Sequence, residues 1–281
     1  MRWTRGGDSS NVEDRRGMGS RMGGGMRLGL GGTVILLILS VVFKKDFTSM
    51  LGSGDPSSAA TQPGVPYQEN ATEKDRREFV TFVFNDAQTT WQQILSQKGQ
   101  QYRDAKLVLF TDATDSGCGA AQSASGPFYC PEDERVYIDL GFYDELQQRF
   151  GAAGDFAQAY VIAHEVGHHI QHLLGIDDQV RTAQQRNPDD ANEWSVRLEL
   201  QADCFAGIWG HSTENRSMLD QGDVEEGLNA AAAIGDDRIQ RMSGQSVSPE
   251  SFTHGSSAQR VEWFRKGMQD ARIESCNTFE G

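Results

Sequence analysis

Residues 159–175 read AYVIAHEVGHHIQHLLG and contain His164-Glu165-Val166-Gly167-His168. Two histidines four apart share one face of a helix, so both imidazoles can meet a single divalent ion. Glu165 is rotated by about 100° from His164, close enough to reach a water on such an ion without joining its ligands. Tyr160, Val161, Ile162, Ile170, Leu173 and Leu174 supply apolar faces that bury the helix, which suits a dry site. His168 and His172 are also four apart, but only the His164/His168 pair has a glutamate in the general-base position. His169 and His172 therefore read as packing or supporting residues.

A catalytic zinc ion takes three protein ligands and leaves one position open. A metzincin pattern would place a glycine at position 171 and a third histidine at position 174; Gln171 and Leu174 exclude it. The alternative is a glutamate on a following helix. Residues 195–203 read SVRLELQAD, and Glu199 and Asp203 fall four apart on one face. Glu199 is the expected third ligand. Asp203 is expected behind it, accepting the free N–H of a ligand histidine and fixing its tautomer.

Working outward, Val80, Phe84, Ala87, Trp91 and Leu95 predict a helix from near Thr72. KLVLF (106–110) and RVYIDL (135–140) predict strands, and helices are expected over 142–150, 155–174, 189–211 and 224–234. Strands early and helices late predict an α+β domain over residues 76–281. Cys118, Cys130, Cys204 and Cys276 form an even set. Their spacing favours Cys118–Cys130 and Cys204–Cys276 disulfides, with other pairings open. There is no CxxC to suggest a zinc ribbon.

The chain has 281 residues and a net charge of −14. Residues 1–45 hold eight basic and three acidic side chains, a surplus of +5, and the remaining 18 basic and 37 acidic give −19. Acidity of this size argues against a nucleic-acid partner. Between Arg27 and Lys44 lies the uncharged run LGLGGTVILLILSVVF. It reads as a membrane helix spanning 27–45, after a disordered tail (1–26) and before a flexible linker (46–75). Basic residues concentrated before the run predict a single pass through the cytoplasmic membrane, with the N-terminus in the cytoplasm and the domain outside.

HExxH followed by ExxxD resembles the gluzincin-type metallopeptidases. With KLVLFTDATDSGCGAAQSASGPFYCPEDERVYIDLGFYDEL, AAAIGDDRIQ and SFTHGSSAQRVEWF, the chain resembles more closely the bacterial predicted neutral zinc metallopeptidases, a membrane-anchored family. The resemblance implies a zincin-like fold, a Zn2+ cofactor, a protein or peptide substrate, ligands His164, His168 and Glu199, and Glu165 as general base. The residues suggest His254 as the donor that stabilises a developing oxyanion, with Tyr137 second; His254 equally suits the packing of a helix start. Strand 136–140 is a candidate to pair with extended substrate. The competing expectation is a zinc-stabilised scaffold at the outer membrane face that has lost hydrolysis.

Overall fold

The structure is a computed structural model and describes residues 1–7, 10–18 and 67–280. The first long helix, α1 (Ala71–Gln97), opens at a capping box. Asn70 Oδ1 accepts from the Glu73 N–H at 3.0 Å, and the Glu73 carboxylate accepts from the Asn70 N–H at 2.8 Å. Two N–H groups at the helix N-terminus are satisfied at once. The apolar face expected of this helix is present: Val80, Phe84, Ala87, Trp91 and Leu95 are all buried.

A four-stranded sheet follows, built from β1 (Val12–Asp14), β2 (Lys106–Phe110), β5 (Phe128–Cys130) and β6 (Arg135–Asp139). Its order is β1-β2-β6-β5, with β1 and β6 parallel to β2 and β5 antiparallel to β6. The hairpin of β3 (Ala113–Ser116) and β4 (Gly119–Gln122) stands apart from it. Alternation along β2 and β6 sorts side chains to two faces. Leu107, Leu109, Val136 and Ile138 enter the main core, while Val108, Phe110 and Tyr137 join Cys130 in a smaller cluster behind. Strand β6 is therefore interior, paired on both sides, and among the described residues β1 and β5 are the sheet's two edges. That corrects the expectation that 136–140 pairs with substrate.

The remaining helices are α2 (Phe142–Gln148), α3 (Asp155–Leu173), α4 (Ile176–Arg186), α5 (Ala191–Asn215), α6 (Asp223–Ala233), α7 (Asp236–Met242) and α8 (Ser257–Asp270); they pack mainly on one another, and the inner face of the sheet joins their apolar core. The expected mixture of early strands and later helices is present. Two crossings depend on glycine. A Cβ at Gly167 of α3 would lie 3.0 Å from the Ala202 carbonyl of α5. A Cβ at Gly267 of α8 would lie 1.9 Å from the Cys204 carbonyl, and one at Gly207 of α5 would lie 2.2 Å from that of Phe264. The α5–α8 pair can approach this closely only without those side chains. Disulfides Cys118–Cys130 and Cys204–Cys276 are both formed, and the second ties the C-terminal segment to α5.

The N-terminal segment requires two corrections. Its described part is folded onto the domain rather than disordered. Strand β1 adds to the sheet, and Trp3 packs edge-on against Phe79 at 5.4 Å. The Met1 ammonium donates to Asp155 of α3 at 2.6 and 2.7 Å. The proposed membrane span 27–45 lies outside the described residues, and no helix among those described is long and apolar enough to cross a membrane. The segments flanking the 19–66 stretch lie against one another: Arg16 stacks over Tyr67 at 4.8 Å and pairs with Glu69 at 2.7 Å. A chain docked to the domain on both sides of that stretch does not place its N-terminus on one side of a membrane and the domain on the other. The expected transmembrane helix and single-pass localisation are accordingly withdrawn. The Gly-rich composition of residues 1–26 hid the docking, because three-residue strands leave no periodic signal.

Replacing Gly267 with alanine forces a Cβ into backbone and is expected to destabilise the fold by about 1–3 kcal/mol or more. Gly7→Ala, with nothing within 4 Å of the added Cβ, should stay within about 0.5 kcal/mol. Chemical denaturation of both variants checks the pair; equal effects would contradict the close packing of α5 on α8.

Candidate metal centre

Helix α3 carries the paired histidines and α5 the paired carboxylates, and the contact at Gly167 brings these faces together. His164 Nε2 lies 3.1 Å from Glu199 Oε2 and 3.2 Å from His168 Nε2. His168 Nε2 lies 3.4 Å from Glu199 Oε1. Tetrahedral coordination with metal–donor bonds of about 2.0–2.1 Å puts ligand atoms roughly 3.3–3.4 Å apart. Two imidazole nitrogens and one carboxylate at this separation therefore fit a zinc ion with a fourth position open. The only other such cluster among the described residues is Asp155, Asp223 and Glu226. It offers oxygen alone, which suits zinc poorly, and Asp155 and Asp223 already pair with the Met1 ammonium.

Each histidine is aimed by a partner on its other nitrogen. Asp203, fully buried, accepts from His164 Nδ1 at 2.9 Å. Gln171 donates its amide to the Leu198 carbonyl at 2.7 Å and to Gln201 at 3.1 Å, so its oxygen faces His168 Nδ1 at 2.8 Å. Both Nε2 atoms are thus left for a metal. His169 and His172 are turned elsewhere. His169 donates from Nε2 to the Arg103 carbonyl at 2.7 Å and accepts at Nδ1 from the Tyr129 hydroxyl at 2.9 Å. His172 Nδ1 pairs with Asp177 at 2.8 Å.

The cluster forms the floor of a cleft of about 520 Å³ whose walls include Phe128, Phe142, Phe150, Val161, Ile234 and Ile239. Glu165, 7 % exposed, and His254 line the same cleft. The Asp236 carboxylate accepts from the N–H groups of Thr253, His254 and Gly255 at 2.7, 2.7 and 3.1 Å, fixing the loop that carries His254. The His254 side chain is half exposed, with Nδ1 3.3 Å from Asp236 Oδ1. Tyr137 is turned away: it is fully buried and its hydroxyl donates to Asp133 at 2.6 Å.

Burial pushes the Glu165 carboxyl up, opposed by the nearby His164 and His168. Burial alone would lower His164, but the Asp203 and Glu199 carboxylates outweigh it and push the imidazole up to about 10. Burial would raise Glu199, yet His168 and His254 hold it well below the usual carboxylate range.

Several contributors escaped the sequence reading. Arg260 of α8, 2 % exposed, donates to Asp203 through Nε at 2.8 Å and Nη2 at 3.0 Å. Tyr160 donates its hydroxyl to the same carboxylate. Gln171 was legible only as a polar residue at i+3 from His168. Nothing local marks Arg260, which lies 57 positions from its partner.

Comparison with known proteins bears on this geometry. A family model described as "putative neutral zinc metallopeptidase" matches residues 1–279. The chain belongs to that family. It is 48 % identical over 289 residues to the uncharacterized protein YpfJ of Escherichia coli (strain K12), covering 99 % of each chain. It is 38 % identical over 232 residues to the uncharacterized protein Mb2605 of Mycobacterium bovis, covering 77 % of this chain and 76 % of that one. No solved structure matches. The family match includes the N-terminal residues that dock on the domain.

A raised His164 means that the metal-free imidazole holds a proton at neutral pH, while the depressed Glu199 does not. Uptake of zinc should therefore displace about one proton, and affinity should fall roughly tenfold per pH unit on acidification. Calorimetric titration of zinc in two buffers of different ionisation enthalpy reads the proton directly. Identical heats in both would contradict this account of the site.

Proposed function

We propose that the protein is a zinc-dependent peptidase in which His164, His168 and Glu199 hold the ion and Glu165 is the general base. The observation that carries the reading is the convergence of two imidazole nitrogens and one carboxylate within 3.4 Å of one another at the floor of an open cleft. Membership of the family gives the class of reaction, and a protein or peptide is the substrate that class implies.

When bound, zinc activates water and polarises the scissile carbonyl. The protein's own residues do the rest. Glu165, raised by burial, accepts the proton as water attacks and returns it to the leaving amine. His254, which lines the same cleft on a loop fixed by Asp236, would donate to the oxyanion. Apolar walls favour extended substrates with hydrophobic side chains beside the cleaved bond. The edge strand β5, whose Phe128 and Tyr129 line the cleft, is the strand to which such a substrate would add.

Glu165→Gln removes the base but leaves the ligand set intact. Peptide cleavage should fall by about 10²–10⁴-fold while zinc affinity changes little. The assay is hydrolysis of a broad peptide library with zinc content measured on the same samples. Zinc-loaded wild type as inert as the variant would refute the peptidase reading and leave a zinc-stabilised binding protein. His254→Ala should lower kcat by about 10–10³-fold with a smaller change in KM. An unchanged kcat would return His254 to a packing role.

A further inference from the structure

Helix α8 contributes no expected metal ligand, yet its first turn sends one charged side chain into the centre of the fold. Arg260 follows an N-terminus fixed by a capping box between Ser256 and Gln259. Its guanidinium is 2 % exposed and its partners are specific. Nε and Nη2 bind both oxygens of Asp203 at 2.8 and 3.0 Å, Nη2 lies 3.2 Å from the Tyr160 hydroxyl and, more distantly, 3.4 Å from His164 Nδ1, and Nη1 donates to the Ile234 carbonyl at 3.4 Å. Fork-to-carboxylate geometry of this kind fixes a plane as well as a distance. The same Asp203 oxygen that receives Nη2 and the Tyr160 hydroxyl also receives His164 Nδ1 at 2.9 Å.

We infer that Arg260 is a positioning residue for the metal centre: its two-pronged grip on Asp203 fixes the plane of the carboxylate that aims His164 Nε2 at the ion. The inference rests on the zinc reading of His164, His168 and Glu199. The scaffold around the pair is built to the same end. Gly207 and Gly267 let α5 and α8 meet backbone to backbone, and the Cys204–Cys276 disulfide begins at the residue next to Asp203. These constraints hold Asp203 and Arg260 at a set distance, which a bidentate contact requires. Without the guanidinium, Asp203 Oδ2 would lose its Nε–H donor inside the core, and the carboxylate would be free to turn away from His164.

The experiment is zinc affinity by chelator competition on the full chain, with the visible spectrum of the cobalt-substituted protein as a report on ligand geometry. Arg260→Gln should weaken zinc binding by about 10–100-fold and shift the cobalt bands. Arg260→Lys keeps a buried cation, guards against a simple folding failure, and should recover only part of the loss because the fork is gone. Since Arg260 acts through Asp203, adding Arg260→Gln to Asp203→Asn should cost little beyond Asp203→Asn alone. Met268→Ala, a core truncation on the same helix but away from Asp203, serves as a packing control and should leave affinity and spectrum unchanged. Wild-type affinity and spectrum in both Arg260 variants, independent losses in the double variant, or an equal loss in Met268→Ala would overturn the inference. A wild-type chain that takes up no zinc would instead refute the metal reading itself, and the inference with it.

Discussion

A carboxylate with no exposure to water sits where three helices meet, and much of the site depends on how it is satisfied. Asp203 would cost several kcal/mol to bury alone. The cost is offset by charge-assisted bonds from Arg260 and by donors from His164 and Tyr160. Burial pushes this carboxyl up, but Arg260 and His164 hold it below its ordinary value, so it stays ionised in the core. Apolar packing makes α3, α5 and α8 adhere; this polar junction sets which residue of each faces which.

The consequence reaches the proposed metal site through His164. Asp203 holds His164 by Nδ1 and Gln171 holds His168 the same way, so both Nε2 atoms converge beside Glu199. The gap is set by helices rather than by loops, which favours precise ligand placement. Over this rigid floor lie the more adaptable parts: the loop carrying His254, pinned by Asp236, and the sheet edge at β5. The buried Glu165 lines the same cleft and answers electrostatically to both histidines.

What the sequence made legible follows from range. His164, Glu165 and His168 belong to one helical turn, and Glu199 and Asp203 to another, so periodicity alone placed each group on a face. Their meeting across 31 to 39 positions was inferred from the chemistry zinc demands. Arg260 stayed hidden because an arginine in an amphipathic helix ordinarily points to solvent, and its partner lies 57 positions away. Strand β6 was read correctly as a strand but assigned to an edge, because neighbour order in a sheet is not encoded in the strand itself. The N-terminal residues misled more seriously. A basic, Gly-rich head before an apolar run has the composition of a membrane topology signal, and composition carries no information about Met1 reaching Asp155 or β1 pairing with β2.

The central claim is that these three residues form a zinc site. Anomalous diffraction at the zinc edge, on crystals of the zinc-loaded chain, tests it most directly. The account predicts the strongest peak within about 2.0–2.3 Å of His164 Nε2, His168 Nε2 and a Glu199 oxygen. A peak at Asp155, Asp223 and Glu226 instead, with none between the two histidines, would contradict it.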